Sequence, residues 1–358
     1  MSPPFISVII TSYNRKEFLK FAVESALKQS LDRSKYELIV SKDFHDGELD
    51  EIIERNNITT LFFEGNSIGR RMAHALESAR GEVIAFLDDD DIWSQDKLSH
   101  VFHIFSSDSS VVFYHNAQFF IDDDGKELPG LAGWDPNAGM LKAGELNLLP
   151  SQLNKCDMLR LLHLYLAFNA SSIVVRKKIL NRNISVLSEI DSSPDDFLLF
   201  AALAFGERLV ADNEKLTGYR VHKRNVSSGM LDGDRYTPYE GNYRSRQFIA
   251  YKRMEEIVGT DVHEPVRFAF HYSMNYLKLT ALLTTARGNR RDMISASLHQ
   301  TAYSLYYAVS SPRHSALAGS KFGLWYNIRL SILSILFLAS PSFARSLYSF
   351  LYVEMKWT

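Results

Sequence analysis

The sequence predicts an α/β fold, a mainly parallel sheet flanked by helices, followed by a helical C-terminal region. Short apolar segments alternate with amphipathic segments early in the chain, as strands and helices alternate in a doubly wound parallel sheet. Polar residues follow each apolar segment, and ligands bind at the carboxyl ends of the strands in such sheets. Beyond about residue 230, apolar residues recur at helical spacing instead.

The first part of the chain contains three predicted strands before the most apolar segment. These strands are Phe5 to Ile10, Tyr36 to Val40 and Thr60 to Phe63. Apolar stripes predict helices between them, from Lys16 to Gln29 and from Leu49 to Asn56. A third helix follows the Gly65 to Arg71 loop and is expected to end near Gly81, which we expect to cap it.

The segment from Val83 to Leu87 consists of five apolar residues and predicts a strand that is buried on both faces. Four aspartates, Asp88 to Asp91, follow it directly. Carboxylates packed at a strand end repel one another unless a cation lies among them, and Mg²⁺ or Mn²⁺ prefers oxygen ligands and phosphate. The pattern therefore indicates a metal that bridges the protein to a substrate phosphate. A solvated acidic loop, or N-capping by Asp91 of a helix from Trp93 to His103, remains an alternative.

Composition excludes several classes of function. The formal net charge of −2 gives no global signature of nucleic-acid binding, so we expect no nucleic-acid partner. The single cysteine, Cys156, excludes an internal disulfide and the usual cysteine-rich zinc sites, and fits a reducing cytoplasm. The apolar run from Phe5 to Ile10 is too short for a signal peptide, and no window has the continuous apolarity of a transmembrane helix.

The middle of the chain adds further predicted elements. We expect strands at Val111 to Tyr114 and Ala117 to Ile121, then a solvated hairpin tip at Asp122 to Gly125. A helix from Leu159 to Phe168 and a strand from Ala170 to Arg176 follow. Pro194 then begins another helix whose first turn contains Asp195 and Asp196, and these acids are explained either by the helix dipole or by chemistry.

The order of Ser7 to Arg15, then Asp43, then Gly81 to Trp93 with Lys97 and Leu98 resembles the family 2 glycosyltransferases. The resemblance covers roughly residues 5 to 228. It implies the GT-A fold and an inverting transfer of a sugar from a nucleotide-diphosphate donor, with UDP favoured, to a hydroxyl of a glycan or lipid-linked glycan.

The resemblance also implies a role for individual residues. In the family, a divalent cation, Mn²⁺ or Mg²⁺, is held by a D-x-D motif. Here the candidate metal ligands are Asp90, Asp88, Asp91 and His222, the last in a segment that resembles the family's Y-R-x-H-x-x-N-x-S. The implied nucleotide-sugar site consists of Thr11, Tyr13, Asn14, Arg15, Asp43, Arg71, Asp88 and Asp89. The acidic pair Asp195 and Asp196 matches the position of the catalytic base, and Asp196 is the first choice.

One departure from the family pattern concerns the nucleotide base. The usual acidic pair after the second strand is Lys42-Asp43 here, which leaves UDP, GDP or another nucleotide open. Two other functions also stay open: a catalytically silent GT-A subunit that binds or acts as a scaffold, and a metal-dependent nucleotidyltransferase. The second acidic pair and the His222 segment argue against the nucleotidyltransferase.

We predict a catalytic domain over residues 1–230, with a nucleotide-sugar half at 1–115 and an acceptor half at 116–230. Residues 231–358 form the predicted helical C-terminal region. Basic residues predominate from Arg287 onward, and the stretch from Leu330 to Ala339 is apolar. Such a tail is typical of a helix at a membrane surface, here the inner face of the cell membrane, or of a helical subdomain that packs on the protein or on a second copy.

Overall fold

The computed structural model describes residues 3–130, 135–222, 238–285 and 290–310, together with the single positions Ile332 and Leu336. The predicted tail from Leu330 to Ala339, apart from those two positions, and the end of the His222 segment lie outside these residues. Clustering of close contacts divides the chain into two units. Unit 1 comprises residues 1–130, 144–151 and 166–221, and unit 2 comprises residues 131–143, 152–165 and 222–358.

Unit 1 is an α/β unit, and its described part contains one sheet. The strands are β1 (Ile6–Thr11), β2 (Tyr36–Lys42), β3 (Thr59–Phe62), β4 (Val83–Asp88), β5 (Ile92–Trp93), β6 (Val111–Ile121), β7 (Glu127–Leu128), β8 (Leu146–Leu148), β9 (Ile173–Arg176) and β10 (Arg208–Arg220). Its helices are α1 (Leu19–Leu27), α2 (Gly47–Arg55), α3 (Ile68–Ser78), α4 (Lys97–Ser107), α7 (Lys177–Arg182), α8 (Ile184–Glu189) and α9 (Pro194–Phe205).

The sheet has the strand order β3-β2-β1-β4-β9-β6-β10-β5, with β7 added to β6 and β8 added to β10. The strands β3, β2, β1 and β4 are parallel, as predicted. Beyond β4 the sheet is mixed, because β9 pairs antiparallel with both β4 and β6 while β10 runs parallel to β6. The predicted α/β architecture is confirmed, and its parallel part covers the predicted nucleotide half.

The core of unit 1 explains why the apolar segments form strands. Ile6, Val8 and Ile10 of β1 lie in one core cluster with Val83, Ala85 and Leu87 of β4, and all are essentially inaccessible to solvent. Helices cover both faces of such strands, which is why the segments read as continuous apolar runs.

Local predictions differ from the structure at several places. Helix α3 ends at Ser78 with Ala79 as its C-cap, so Gly81 does not cap it. A Cβ on Gly81 would lie 2.6 Å from the backbone nitrogen of Ser7, so a close approach to β1 requires glycine there. The helix expected from Trp93 begins only at Lys97, because Ile92 and Trp93 pair with β10. The two strands expected between Val111 and Ile121 are one strand, β6.

Unit 2 is helical in the part that the structure describes. It contains α5 (Ala138–Ala143), α6 (Lys155–Leu162), α10 (Pro238–Met254), α11 (Glu264–Thr285) and α12 (Arg290–Ser310). Asn154 and Asp157 form a capping box at the start of α6, and Leu159 packs with Tyr272 of α11. Within the described ranges, no helix is both long and apolar enough to cross a membrane.

Candidate active site

The carboxyl ends of the parallel strands lie side by side. Thr11, the last residue of β1, pairs with Asp88 of β4 on one side and with Ser41 of β2 on the other. The backbone N–H of Ser12 donates to the carbonyl of Ser41 at 2.9 Å. The loops that follow β1, β2 and β4 therefore begin at the same edge of the sheet, as the parallel pattern predicts.

A hydrogen bond joins the loops after β1 and β2. The backbone N–H of Asn14 donates to Oδ1 of Asp43 at 2.9 Å. Asn14 has a φ of 50°, in the left-handed region that asparagine adopts more readily than most residues. This contact fixes the Asp43 carboxylate to the loop after β1. Tyr13, in the same loop, is 48% exposed.

Lys42, which departs from the family pattern, binds groups in the loop and helix that directly follow it. Its ammonium group is buried, donates to the carbonyl of Phe44 at 2.9 Å and pairs with Asp50 in α2. Nζ also lies 5.0 Å from the centroid of the Phe62 ring. Asp43 is therefore the acid that this loop offers, and Lys42 contributes to the local packing.

Arg71 of α3 is buried next to two aromatic rings. Its guanidinium carbon lies 5.4 Å from the centroid of the Tyr13 ring and 5.1 Å from that of Phe63. Nη2 donates to the carbonyl of Gly65 at 2.8 Å, whereas Nη1 is buried and has no hydrogen-bond partner among the residues that the structure describes. Burial lowers the pKa of Arg71, with Asp43, Tyr13 and Asp89 acting in the opposite direction. A buried donor without a partner costs about 1–3 kcal/mol, so this nitrogen suits an acceptor supplied by a ligand.

The four aspartates after β4 form a turn, Asp88 to Asp91, which we call the acidic turn. Arg15 spans two of its members. Nη1 of Arg15 donates to Oδ2 of Asp90 at 2.7 Å, Nε donates to Oδ2 of Asp89 at 3.3 Å, and Nη2 also pairs with Asp89. Burial disfavours the charge on Arg15, but the carboxylates of Asp90 and Asp89 outweigh this effect and raise its pKa. The loop after β1 is thereby fixed to the acidic turn.

Asp91 points into the protein and has a structural role. Its Oδ1 accepts from the backbone N–H of Arg220 at 3.0 Å, and its Oδ2 accepts from Nδ2 of Asn169 at 2.5 Å. Asn169 accepts in turn from the hydroxyl of Ser172 at 3.0 Å. Both carboxylate oxygens of Asp91 already bind protein donors, as do those of Asp89, so these two residues are less suitable than Asp88 as ligands for an external group.

The negative charge of the acidic turn is only partly compensated. Burial and the charge of Asp90 raise the pKa of Asp88 and of Asp89 to about 7, although Arg15 lowers both. Burial, followed by the charges of Asp90 and Asp88, also raises the pKa of Asp91 well above its ordinary value. Asp88 is the member that keeps intermediate exposure to solvent. The turn therefore carries negative charge that Arg15 only partly compensates, and a bound cation would compensate it further.

A divalent cation fits this donor set if water and substrate phosphate complete its coordination. Among the described residues, no group of three or more His, Cys, Asp or Glu side chains is arranged to hold a metal. Hard cations such as Mg²⁺ are commonly bound by one or two carboxylates and completed by water and substrate phosphate. Asp88 and Asp90 match that type of site, whereas His222 is a buried residue of unit 2.

Asp195 and Asp196 occupy the first turn of α9, directly after Pro194. Burial raises the pKa of Asp195 well above its ordinary value, and the charges of Asp88, Asp196 and Asp91 raise it further. The influence of Asp88 and Asp91 means that the start of α9 is within electrostatic range of the acidic turn. The structure therefore brings the second acidic pair towards the first.

Sequence reasoning missed two participants, the ring of Phe63 beside Arg71 and the contact of Asn169 with Asp91. Phe63 is the last residue of a predicted strand, and the position of parallel strand ends was the available signal. Asn169 directly precedes the strand predicted from Ala170 to Arg176, but no local pattern predicts its partner.

Comparisons with known proteins agree with this geometry. Residues 7–163 match the family model described as "Glycosyl transferase family 2". The chain is 25% identical over 278 residues to the UDP-Glc:alpha-D-GlcNAc-diphosphoundecaprenol beta-1,3-glucosyltransferase WfaP of Escherichia coli. This alignment covers 76% of this chain and 94% of WfaP. Three other relatives are aligned over only 38% to 52% of their own length.

Solved structures share the fold. Staphylococcus aureus TarS 1-349 in complex with UDP-GlcNAc aligns with a TM-score of 0.53 and 15% identity, over 92% of this chain and 88% of TarS 1-349. The mannosyltransferase PcManGT of Pyrobaculum calidifontis, in complex with GDP-Man and Mn²⁺, aligns with a TM-score of 0.52 and 14% identity, over 98% of this chain and 88% of PcManGT. At these identities the likeness concerns the fold.

Proposed function

We propose that this chain, whose residues 7–163 match the model of the family 2 glycosyltransferases, transfers a sugar from a nucleoside diphosphate to a hydroxyl of a glycan or lipid-linked glycan, with inversion at the anomeric carbon. UDP is the favoured nucleotide. The relative WfaP supports both choices, because its name specifies a UDP-Glc donor and an alpha-D-GlcNAc-diphosphoundecaprenol acceptor. A lipid-linked acceptor would place the reaction at a membrane surface.

The acidic turn is the observation that carries the proposal. It begins at the end of β4, beside Thr11, and its excess negative charge makes it suitable for a cation that neutralises a diphosphate. Arg71 lies near Asp43, and its buried Nη1 has no partner in the described part of the chain, so it suits an acceptor atom of the nucleotide. The carboxylates would bind the diphosphate through a cation, and Arg71 would bind the nucleotide directly.

Individual residues would divide the work as follows. Tyr13 and Asp43 would line the base and ribose pocket, with Asn14 holding the Asp43 carboxylate in place. Arg15 would fix the orientation of Asp89 and Asp90. Asp88 and Asp90 would hold the metal, which when bound stabilises the charge that develops on the departing diphosphate.

The transfer itself requires a base. The acceptor oxygen would form a bond to the anomeric carbon as the bond from that carbon to the diphosphate oxygen breaks, and the hydroxyl proton would pass to a carboxylate. Asp196 is our proposed base. Asp195 is less suitable, because burial and the neighbouring carboxylates raise its pKa well above its ordinary value and so disfavour the ionised form that a base needs.

Calorimetric titration of UDP and of GDP, each with and without Mn²⁺, tests the proposal. We expect one nucleotide, UDP, to bind only when Mn²⁺ is present. Asp90→Ala should abolish this metal-dependent binding. Asp124→Ala is the matched control, because Asp124 is an exposed acid in the β6–β7 turn and should leave binding unchanged.

Two results would contradict the proposal. Metal-dependent binding that survives in Asp90→Ala would refute the assignment of the acidic turn as the metal site. Nucleotide binding by the wild-type protein without any transfer, tested with UDP-sugars and GDP-sugars and lipid-linked acceptors, would favour the catalytically silent alternative.

A further inference from the structure

Arg220, the last residue of β10, is a buried arginine in direct contact with the acidic turn. Its side chain is 1% exposed. Its backbone N–H donates to Oδ1 of Asp91 at 3.0 Å, and its Nε donates to the carbonyl of Asp90 at 2.7 Å. A single residue therefore binds both the main chain and a side chain of the acidic turn.

The other end of the same guanidinium group binds a second segment. Nη1 of Arg220 donates to the carbonyls of Asp122 and Asp123 at 2.7 and 2.9 Å, in the turn between β6 and β7. The guanidinium carbon also lies 4.7 Å from the centroid of the Phe18 ring and 5.5 Å from that of Phe21, at the start of α1. Arg220 thus joins three segments that are far apart in sequence.

Arginine is specifically suited to this arrangement. Its planar guanidinium presents five N–H donors in a fixed fork and stacks on aromatic rings, whereas lysine offers one compact ammonium group. Burying a charge costs free energy unless hydrogen bonds compensate it. The side-chain bonds described above go to main-chain carbonyls, so through them the guanidinium holds backbone positions of the two turns.

We propose that Arg220 is a positioning residue: by holding the Asp90 carbonyl and the Asp91 carboxylate against the β6–β7 turn, it sets the backbone of the acidic turn so that Asp88 and Asp90 face the donor diphosphate. The proposal rests on the proposed function for the identity of the ligand. That Arg220 holds the backbone of the acidic turn is argued from the contacts of Arg220 alone.

The chain offers a matched control in Arg176, at the end of β9. Arg176 is also buried, and it donates to the carbonyls of Val111, Phe105 and Asp108 at 2.7 to 3.1 Å while lying over the Phe105 ring. It pairs with Val83, the first residue of β4, whereas Asp88 is the last. At about 3.3 Å per residue, Val83 and Asp88 are about 16 Å apart. The two arginines have the same bonding pattern in different places.

The test compares Arg220→Lys and Arg176→Lys in the full-length protein. Hydrogen exchange measured by mass spectrometry reports the local effect without any ligand. Arg220→Lys should accelerate exchange in residues 88–93 and 120–126, and Arg176→Lys should accelerate it around residues 105–111 instead. Titration of UDP with Mn²⁺ and steady-state transfer rates then report the effect on the site.

We expect both variants to lose thermal stability, because each loses buried hydrogen bonds. Only Arg220→Lys should weaken Mn²⁺-dependent UDP binding, by about tenfold, and lower kcat by about 100-fold, since a displacement of about 1 Å can have an effect of that size. Arg176→Lys should keep both values within about twofold of wild type.

Unchanged exchange at residues 88–93 in Arg220→Lys would overturn the proposal, whatever the ligand. Accelerated exchange there with wild-type UDP binding and kcat would also overturn it, because the role would then be structural only. If the wild-type protein binds neither UDP nor GDP, the proposed function fails, while the exchange experiment still decides whether Arg220 holds the acidic turn.

Discussion

Replacing Asp88 by asparagine should stabilise the metal-free protein at alkaline pH while removing its activity. The pKa of Asp88 is raised from 3.8 to about 7 by burial and by the charge of Asp90. The unfolded chain therefore loses this proton near pH 4, whereas the folded protein keeps it to about pH 7. Stability falls as pH rises through that window, because the unfolded state binds fewer protons.

The size of the effect follows from the pKa shift. A shift of about three units corresponds to an upper limit of about 4 kcal/mol, at about 1.4 kcal/mol per unit. Asp88 keeps some exposure and shares its repulsion with Asp90, so we expect Asp88→Asn to recover about 1–3 kcal/mol at pH 8. The gain should be near zero at pH 4, grow up to about pH 7 and stay constant above it.

Urea unfolding followed by tryptophan fluorescence in EDTA, between pH 4.5 and pH 8, measures this gain. Asp108→Asn is the control, because hydrogen bonds from Ser110 lower the pKa of Asp108. Its stabilising contribution is present above its pKa, so the control should lose similar stability at pH 6 and at pH 8. Adding Mn²⁺ at a hundredfold excess over Kd should stabilise the wild type by about 3 kcal/mol, and Asp88→Asn by much less.

A gain that does not grow with pH would refute the electrostatic reasoning. A loss of stability in Asp88→Asn at pH 8 would refute it more directly, because it would show that the carboxylate is stabilising in the absence of metal.

Two further substitutions test the proposed roles. Asp196→Asn should lower single-turnover transfer by about 10²- to 10⁴-fold and leave UDP affinity within about twofold, and a larger loss of transfer in Asp195→Asn would transfer the role of base to that residue. Arg71→Met should weaken UDP binding by about tenfold in calorimetry, because a charge-assisted hydrogen bond is worth about 1.5–3 kcal/mol. The neighbouring exposed Arg70→Met serves as its control, and equal affinity in both variants would exclude Arg71 from the nucleotide site.

The parallel half of the sheet could be predicted because its information is local. Continuous apolar runs predict β1 and β4, and polar residues directly after them predict the edge where Thr11 meets Asp88. The short strand β5 could not be predicted in this way, because Ile92 and Trp93 become a strand only by pairing with β10. Pairings between distant segments decide such elements, and periodicity does not contain them.

The acidic turn shows the same limit at the level of single side chains. Four identical residues stand in a row, and the sequence leaves open which of them bind a metal. Tertiary partners distinguish them: Arg15 binds Asp89 and Asp90, while Asn169 and Arg220 occupy Asp91. These partners come from positions far along the chain, so the distinction becomes visible only in the folded protein.

Unit 2 is built from three separate stretches of the chain, and this constrains how the enzyme can be recombined. Lys155 of α6 pairs with Glu264 at the start of α11 at 2.6 Å, and Leu159 packs with Tyr272 further along that helix. A chimaera made by one crossover near residue 222 would combine α6 from one parent with α11 from another, and would mismatch these contacts. Exchange of the whole unit between relatives requires residues 131–143, 152–165 and 222–358 to be transferred together.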